Sequence, residues 1–219
     1  MSWPNGGTRI EISNVVIDGS RGGIGSSYGE VFATGLTIQN CLWDGMIVHK
    51  LRGSDITVND NGGAGINMNG GKMSADNVTA NGNGFWGIGN GREVQGSNIT
   101  ANFNGSVGIG AYRIEATGME TKGNAMDGVV GYRRALITGL VSTNNGGPGL
   151  NLPWKRSRVV LIDSTLSDND TLGEDIDILS PTSPALSNTT CSRSERLICE
   201  PGAWDCTRTG ESWGVCSLD

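Results

Sequence analysis

The chain is poor in the residues that usually announce a catalytic centre or a large core. It has one histidine, 5% aromatic residues and a hydrophobic fraction of 36% over 219 residues. Ordinary globular domains carry roughly 45–50% apolar residues, so the composition argues against a bulky layered core. Basic residues are also few, 16 Lys and Arg against 22 Asp and Glu, for a net charge of −6. Gripping DNA or RNA non-specifically requires a basic surface, so no nucleic-acid partner is expected. No run approaches the roughly 18 consecutive apolar residues that a membrane-spanning helix needs, and the first ten residues hold no hydrophobic signal region. The expectation is a chain without a transmembrane segment, whose leader or upstream portion lies outside this sequence.

What the chain does have is glycine, 36 residues of it, together with much asparagine. Neither follows a three-residue period, which excludes collagen, and the regularly spaced Ile, Val, Leu and Met argue against disorder. Internal periodicity is the informative signal. An apolar residue is followed by Gly nine positions later six times in succession: Leu36 to Gly45, Ile56 to Gly65, Val78 to Gly87, Ile99 to Gly108, Met119 to Gly128 and Leu140 to Gly149. The stretches from each Gly to the next apolar start vary, at 11, 13, 12, 11, 12 and finally 17 residues. One arc of each coil is constant and the other is not.

Alternating apolar residues mark the strands. Met46 and Val48, Ile66 and Met68, or Leu150 and Leu152 follow the Gly; Ile56 and Val58, or Ile99 and Ala101, open the constant arc; Met73 and Ala75, or Ile114 and Ala116, give a third pair. Three short strands per coil predict a prism of about seven to eight coils. Asn59, Asn81 and Asn102 share one register and are expected to stack as an amide ladder at a turn, where Asn and Gly accept left-handed backbone.

The repeat fades near residue 180, and four of the five cysteines, Cys191, Cys199, Cys206 and Cys216, lie in the remainder. Their spacing fits no zinc site, and no metal or cofactor is expected. Two disulfides are expected instead, which implies an oxidising compartment. Three pairings are open; the nested one, Cys191 with Cys216 around Cys199 with Cys206, closes one compact loop inside another. Cys41 reads as a small buried hydrophobe. The expected organisation is an N-terminal coil or cap over 1–30, a solenoid over 31–180, and a capping tail over 181–219 that covers the open strand edges.

Through coils such as Gly96-Ser97-Asn98-Ile99-Thr100-Ala101-Asn102, the chain resembles the right-handed parallel β-helix repeat proteins, the pectate-lyase-like group, over roughly residues 8–180. The tail from Cys191 to Asp219 is similar to one found on bacterial secreted β-helix proteins. The resemblance implies an all-β, single-stranded right-handed parallel β-helix and a secreted or extracytoplasmic location. It also implies a choice among lyases, hydrolases and epimerases of acidic polysaccharides, adhesins, tailspikes and structural modules, which fold alone does not make.

Any grafted site should lie on the variable arc. Between residues 46 and 165 those arcs hold ten Lys or Arg against five Asp or Glu. Lys50, Lys72, Arg92, Arg113, Arg133 and Arg134 recur about once per coil and Lys155 follows, so an acidic chain carries a basic stripe. Tyr112 and Tyr132 precede Arg113 and Arg133, and Trp154 precedes Lys155, which interleaves aromatic faces with cations. This pattern suits an acidic polysaccharide. The plainer alternative is a solvated outer face with Glu93 and Glu115 paired to neighbouring arginines. A polyuronate lyase or epimerase on the same surface would draw on Arg113, Arg133 and Tyr112. A hydrolase needs two carboxylates across one bond, for which Asp168 and Asp170 are the nearest candidates, and His49 has no partner in sequence. A structural segment of a larger adhesin or surface assembly is the third class.

Overall fold

The computed structural model describes residues 9–171, 173–200 and 206–219. Fifteen strands and no helix occur among the described residues: β1 (Arg9–Asp18), β2 (Ile24–Gln39), β3 (Met46–Asn59), β4 (Ile66–Asn67), β5 (Lys72–Thr79), β6 (Ile88–Thr100), β7 (Ile109–Lys122), β8 (Val129–Thr143), β9 (Leu150–Asn151), β10 (Arg158–Ile162), β11 (Thr165–Ser167), β12 (Ile178–Ser180), β13 (Ala185–Ser187), β14 (Ser194–Ile198) and β15 (Thr207–Arg208). Successive coils pair in parallel, and only β14 with β15 is antiparallel. The result is a parallel β-solenoid of about eight turns.

The nine-residue spacing is the frame of this solenoid. Leu36 pairs with Ile56, Ile56 with Val78, Val78 with Ile99, Ile99 with Met119 and Met119 with Leu140, in one unbroken column. All six side chains are fully buried. The glycine that ends each arc makes room for a neighbour: a Cβ on Gly87 would lie 2.7 Å from Asn104 Nδ2, and one on Gly65 2.6 Å from Asn83 Nδ2.

Those asparagines form the ladder, and its register differs from the expected one by two residues. Asn61, Asn83, Asn104, Asn124, Asn145 and Asn169 are buried, and each of the first five donates Nδ2–H to the Oδ1 of the next at 2.8–3.1 Å. The backbone N–H of each also donates to that same Oδ1. Asn59, Asn81 and Asn102 form a second, outer column in which each side-chain oxygen accepts the N–H of the following coil, and Asn102 also donates its Nδ2–H to Glu120 Oε1 at 2.8 Å. Cys41, buried and free, occupies the ladder position of its own coil and donates its N–H to Asn61 Oδ1 at 3.0 Å. Between the two asparagine columns the backbone is left-handed, at Asp60, Gly82, Phe103, Gly123 and Asn144. A second left-handed corner recurs at Asp55, Asn77, Asn98, Gly118 and Gly139, where it bends each long strand onto a new face.

The glycine-rich stretch after Gly23 is part of β2 and pairs with β3 from Ile24. At the far end the cysteines pair in the nested order, Cys191 with Cys216 and Cys199 with Cys206. Glu195 is buried beneath this cap and receives Arg208 through both Nε and Nη2, at 3.0 and 2.7 Å. Burial alone would raise its carboxyl, but Arg208 and the Gly210 N–H outweigh that and hold it below the usual range. Asp219 closes the tail by accepting the N–H groups of Ser194, Val215 and Cys216.

Candidate functional site

The outer face of the variable arc carries one continuous column of charge. Register places Arg9, Glu30, Lys50, Lys72, Glu93, Arg113, Arg134 and Arg158 in succession. Neighbouring strands lie about 4.8 Å apart, so these side chains are direct neighbours. The stripe is therefore a mixed column at its N-terminal end and a purely basic one, Arg113, Arg134 and Arg158, at its C-terminal end.

Ion pairs divide it further. Glu30, in a coil outside the stretch from which the stripe was read, binds Lys50 at 2.8 Å and Arg52 at 2.9 Å. The hydrogen bond from Lys50 is the main reason its carboxyl is held below the usual range. Lys72 binds Glu93 at 2.6 Å, and Arg134 binds Glu115 at 2.9 Å. The shallow hollow of about 470 Å³ bordered by Lys50, Arg52, Lys72 and Glu93 consequently has each of its cations ion-paired, Lys50 and Arg52 sharing Glu30. No ion pair is formed by Arg92, Arg113, Arg133, Lys155 or Arg158 among the described residues.

Two irregularities in pairing set Arg92 and Arg133 opposite Tyr112. Ala111 pairs with Gly131 and Arg113 with Arg134, so Tyr112 is opposed by both Tyr132 and Arg133. A bulge of this kind adds one residue and re-aims side chains. One coil earlier Ile88 pairs with Ile109 and Gly91 with Ala111, which sets Arg92 opposite Tyr112. Trp154 completes the group, its ring 5.6 Å from Tyr112 edge-on and 5.2 Å from Tyr132. Arg92, Arg113 and Arg133 are exposed beside these half-buried rings. Lys155 borders a separate hollow of about 340 Å³ against Pro181, Thr182 and Arg196 of the cap.

The carboxylates of the shortened last repeat are not arranged as a pair. Asp168 is exposed at a left-handed turn, whereas Asp170 is buried, accepts the Glu174 N–H and lies 3.7 Å from Arg208. His49 is exposed on β3. No group of three or more His, Cys, Asp or Glu among the described residues is placed to hold a metal ion.

No family model, no curated protein and no solved structure matches the chain. The patch consists of three exposed arginines on consecutive coils, Arg92 and Arg133 in register with Tyr112, and three aromatic rings in mutual contact.

Proposed function

We propose that this chain is an extracytoplasmic β-solenoid that binds an acidic polysaccharide along the variable arc, centred on Arg92, Arg113 and Arg133. The observation that carries this reading is the division of the stripe. Lys50, Arg52, Lys72 and Arg134 are held by Glu30, Glu93 and Glu115, while Arg92, Arg113 and Arg133, like Lys155 and Arg158, form no ion pair among the described residues, and they lie on the strands that carry Tyr112 and Tyr132 or pair with them. Arg113 is stacked on Arg134 one strand away, with Arg92 and Arg133 on either side of Tyr112, and a polymer with a carboxylate on successive sugars would neutralise this local excess of positive charge. The aromatic rings supply flat apolar faces for sugar rings between those charges. The two disulfides support an oxidising compartment, and therefore secretion.

The test is retention of the purified protein on immobilised polygalacturonate and alginate, with neutral dextran as control, across a salt gradient. Wild type should bind only the polyuronates and elute with salt, and the triple variant R92S/R113S/R133S should elute with the void. Equal retention of the two proteins would refute the reading. Absorbance from unsaturated uronate ends in the same samples would make the patch a lyase site rather than a binding site.

A further inference from the structure

The turn that carries the ladder position in each coil is where large exposed apolar side chains gather. Leu42, Trp43, Phe85, Phe103 and Met126 all lie in these turns, and each leaves more than half of its surface uncovered by its own chain. Exposed apolar patches of this kind mark interaction surfaces. The six turns, 40–44, 60–64, 82–86, 103–107, 123–127 and 144–148, hold no Lys, Arg or Glu, and Asp44, Asp60 and Asp127 are the whole of their charge. Backbone hydrogen bonds of 3.0–3.2 Å keep them in register, from the Gly63 N–H to Trp43 O, Phe85 to Gly63, Ser106 to Phe85, Met126 to Ser106 and Gly147 to Met126. Large and small residues alternate along this column. The small ones have a reason within the chain: a Cβ on Gly63 would lie 2.2 Å from Asp44 Oδ1, and one on Gly147 2.3 Å from Asp127 Oδ1.

The six turns are self-complementary when two copies lie antiparallel. A two-fold axis that crosses the solenoid between Phe85 and Ser106 sets the first turn against the sixth, the second against the fifth and the third against the fourth. Every large side chain then meets a small one: Trp43 meets Gly147, Leu42 meets Gly146, Met126 meets Gly63, Phe85 meets Ser106 and Phe103 meets Gly82. Nor does any aspartate meet an acidic residue, since Asp44 faces Pro148, Asp60 faces Gly123 and Asp127 faces Ala64. Parallel packing would instead set each large residue and each aspartate on its own twin, which like-charge repulsion opposes.

We propose that this turn face is a homodimer interface, on which a second copy packs antiparallel and fills the gap over each glycine or serine with a large apolar side chain. Such an interface is isologous and closes at two subunits. At about 4.8 Å per coil the face is about 24 Å long. A strip that long and one turn wide falls below the roughly 1,200 Å² of a permanent interface, so the dimer is weak and reversible. The face belongs to the constant arc and the polysaccharide patch to the variable one, so this inference stands apart from that reading.

Sedimentation velocity of the full chain over a range of concentrations tests the association, and engineered cysteines test its geometry. Wild type should shift with concentration toward twice the 22.9 kDa chain. F85E/M126E changes two exposed positions, so it should leave the thermal midpoint of the monomer unchanged while weakening dimerisation about tenfold or more. Across the two-fold axis the two Phe85 residues lie one coil apart along the solenoid, about 4.8 Å, whereas the two Leu42 residues lie five coils apart, about 24 Å. F85C should therefore give a disulfide-linked dimer on mild oxidation, and L42C should not; Cys41, buried, gives no background in wild type. A monomer at every concentration up to about 1 mM would overturn the proposal. Equal cross-linking of F85C and L42C would also overturn it, as would a dimer in which F85C fails to cross-link. Flotation of monomeric wild type, but not of F85E/M126E, with phosphatidylcholine vesicles would assign the face to a membrane and overturn it too.

Discussion

Asn151 donates its side-chain N–H to Asp127 Oδ2 at 3.0 Å, as Asn67 does to Asp44 Oδ2 at 3.1 Å, but the second oxygen of Asp127 has lost the partner that Asp44 keeps. Asp44 Oδ1 accepts the Ala64 N–H at 2.8 Å. The residue that follows Asp127 at that position one coil on is Pro148, which has no N–H. Burial with one donor missing, together with the charge of Asp170, raises the Asp127 carboxyl to about 6 against Asn151's opposing hydrogen bond.

A raised carboxyl favours the protonated folded state. Its contribution is fully present below the ordinary value of 3.8 and is lost as pH rises through about 6. D127N should therefore be more stable than wild type at pH 8, by about 1–3 kcal/mol, with the gain vanishing near pH 4. Denaturant melts at the two pH values read this directly. A gain independent of pH would remove Asp127 titration as the cause.

The ladder should be far more sensitive than the outer asparagine column. Asn104 accepts the Asn83 N–H and Nδ2–H, and donates to Ala80 O and Asn124 Oδ1, all buried. N104A orphans the Asn83 backbone N–H and the Ala80 carbonyl, while Asn83 Nδ2 keeps Val58 O and Asn124 Oδ1 keeps the Asn104 backbone N–H, so it should cost about 2–4 kcal/mol at about 1–3 for each orphaned group. Asn59 contributes one acceptor, to the Asn81 N–H, so N59A should cost about 1 kcal/mol. Guanidinium midpoints for the two variants compare the columns; equal losses would contradict the assignment.

How much of this was readable in advance follows from which atoms the sequence pattern records. Leu36 through Leu140 and their glycines form the one segment per coil whose length cannot vary, because each apolar residue stacks on its counterpart and each Gly faces a ladder amide. The fold was legible for that reason. The ladder's register was ambiguous because Asn stands at both 59 and 61, 81 and 83, 102 and 104, and periodicity does not say which one faces in. The distinguishing sign was persistence: Asn124, Asn145 and Asn169 continue the inner column, while the outer one passes to Lys122 and Thr143.

The patch was legible as composition but not as geometry. The one-residue changes in the variable arc, 12, 11 and 12 around Ile99 and Met119, are the bulges that bring Arg92, Tyr112 and Arg133 together. Glu30 went unrecognised because its partners, Lys50 and Arg52, are a coil away in sequence and meet it only through strand pairing.

If unpaired arginine is what binds, freeing one more should increase binding. Glu115 occupies Arg134 at 2.9 Å beside the aromatic group. E115Q should raise the salt concentration needed for elution from polygalacturonate, with a gain of about twofold to fivefold in affinity, since exposed pairs are worth up to about 1 kcal/mol. E30Q frees Lys50 and Arg52 in the coils without the aromatic trio. It should change retention less, and if it changes retention more the binding surface lies further toward the N-terminal coils.

The cap is the part of the fold that depends most on covalent closure. Cys191–Cys216 spans 25 residues and Cys199–Cys206 spans 7, so in the chain-entropy account the outer bridge restrains the unfolded tail more. C191S/C216S should lose about 3 kcal/mol and C199S/C206S about 2. The two losses also differ in kind. Opening the outer bridge releases the segment that carries Asp219 onto Ser194, and Trp213 onto the Ser180 carbonyl, so the edge formed by β12 and β14 becomes free to pair. The C191S/C216S variant should therefore aggregate on mild heating while C199S/C206S unfolds without aggregating, as followed by light scattering alongside far-UV circular dichroism. Aggregation of both variants at the same temperature would mean that the inner loop, with Arg208 on Glu195, does as much of the covering as the outer one.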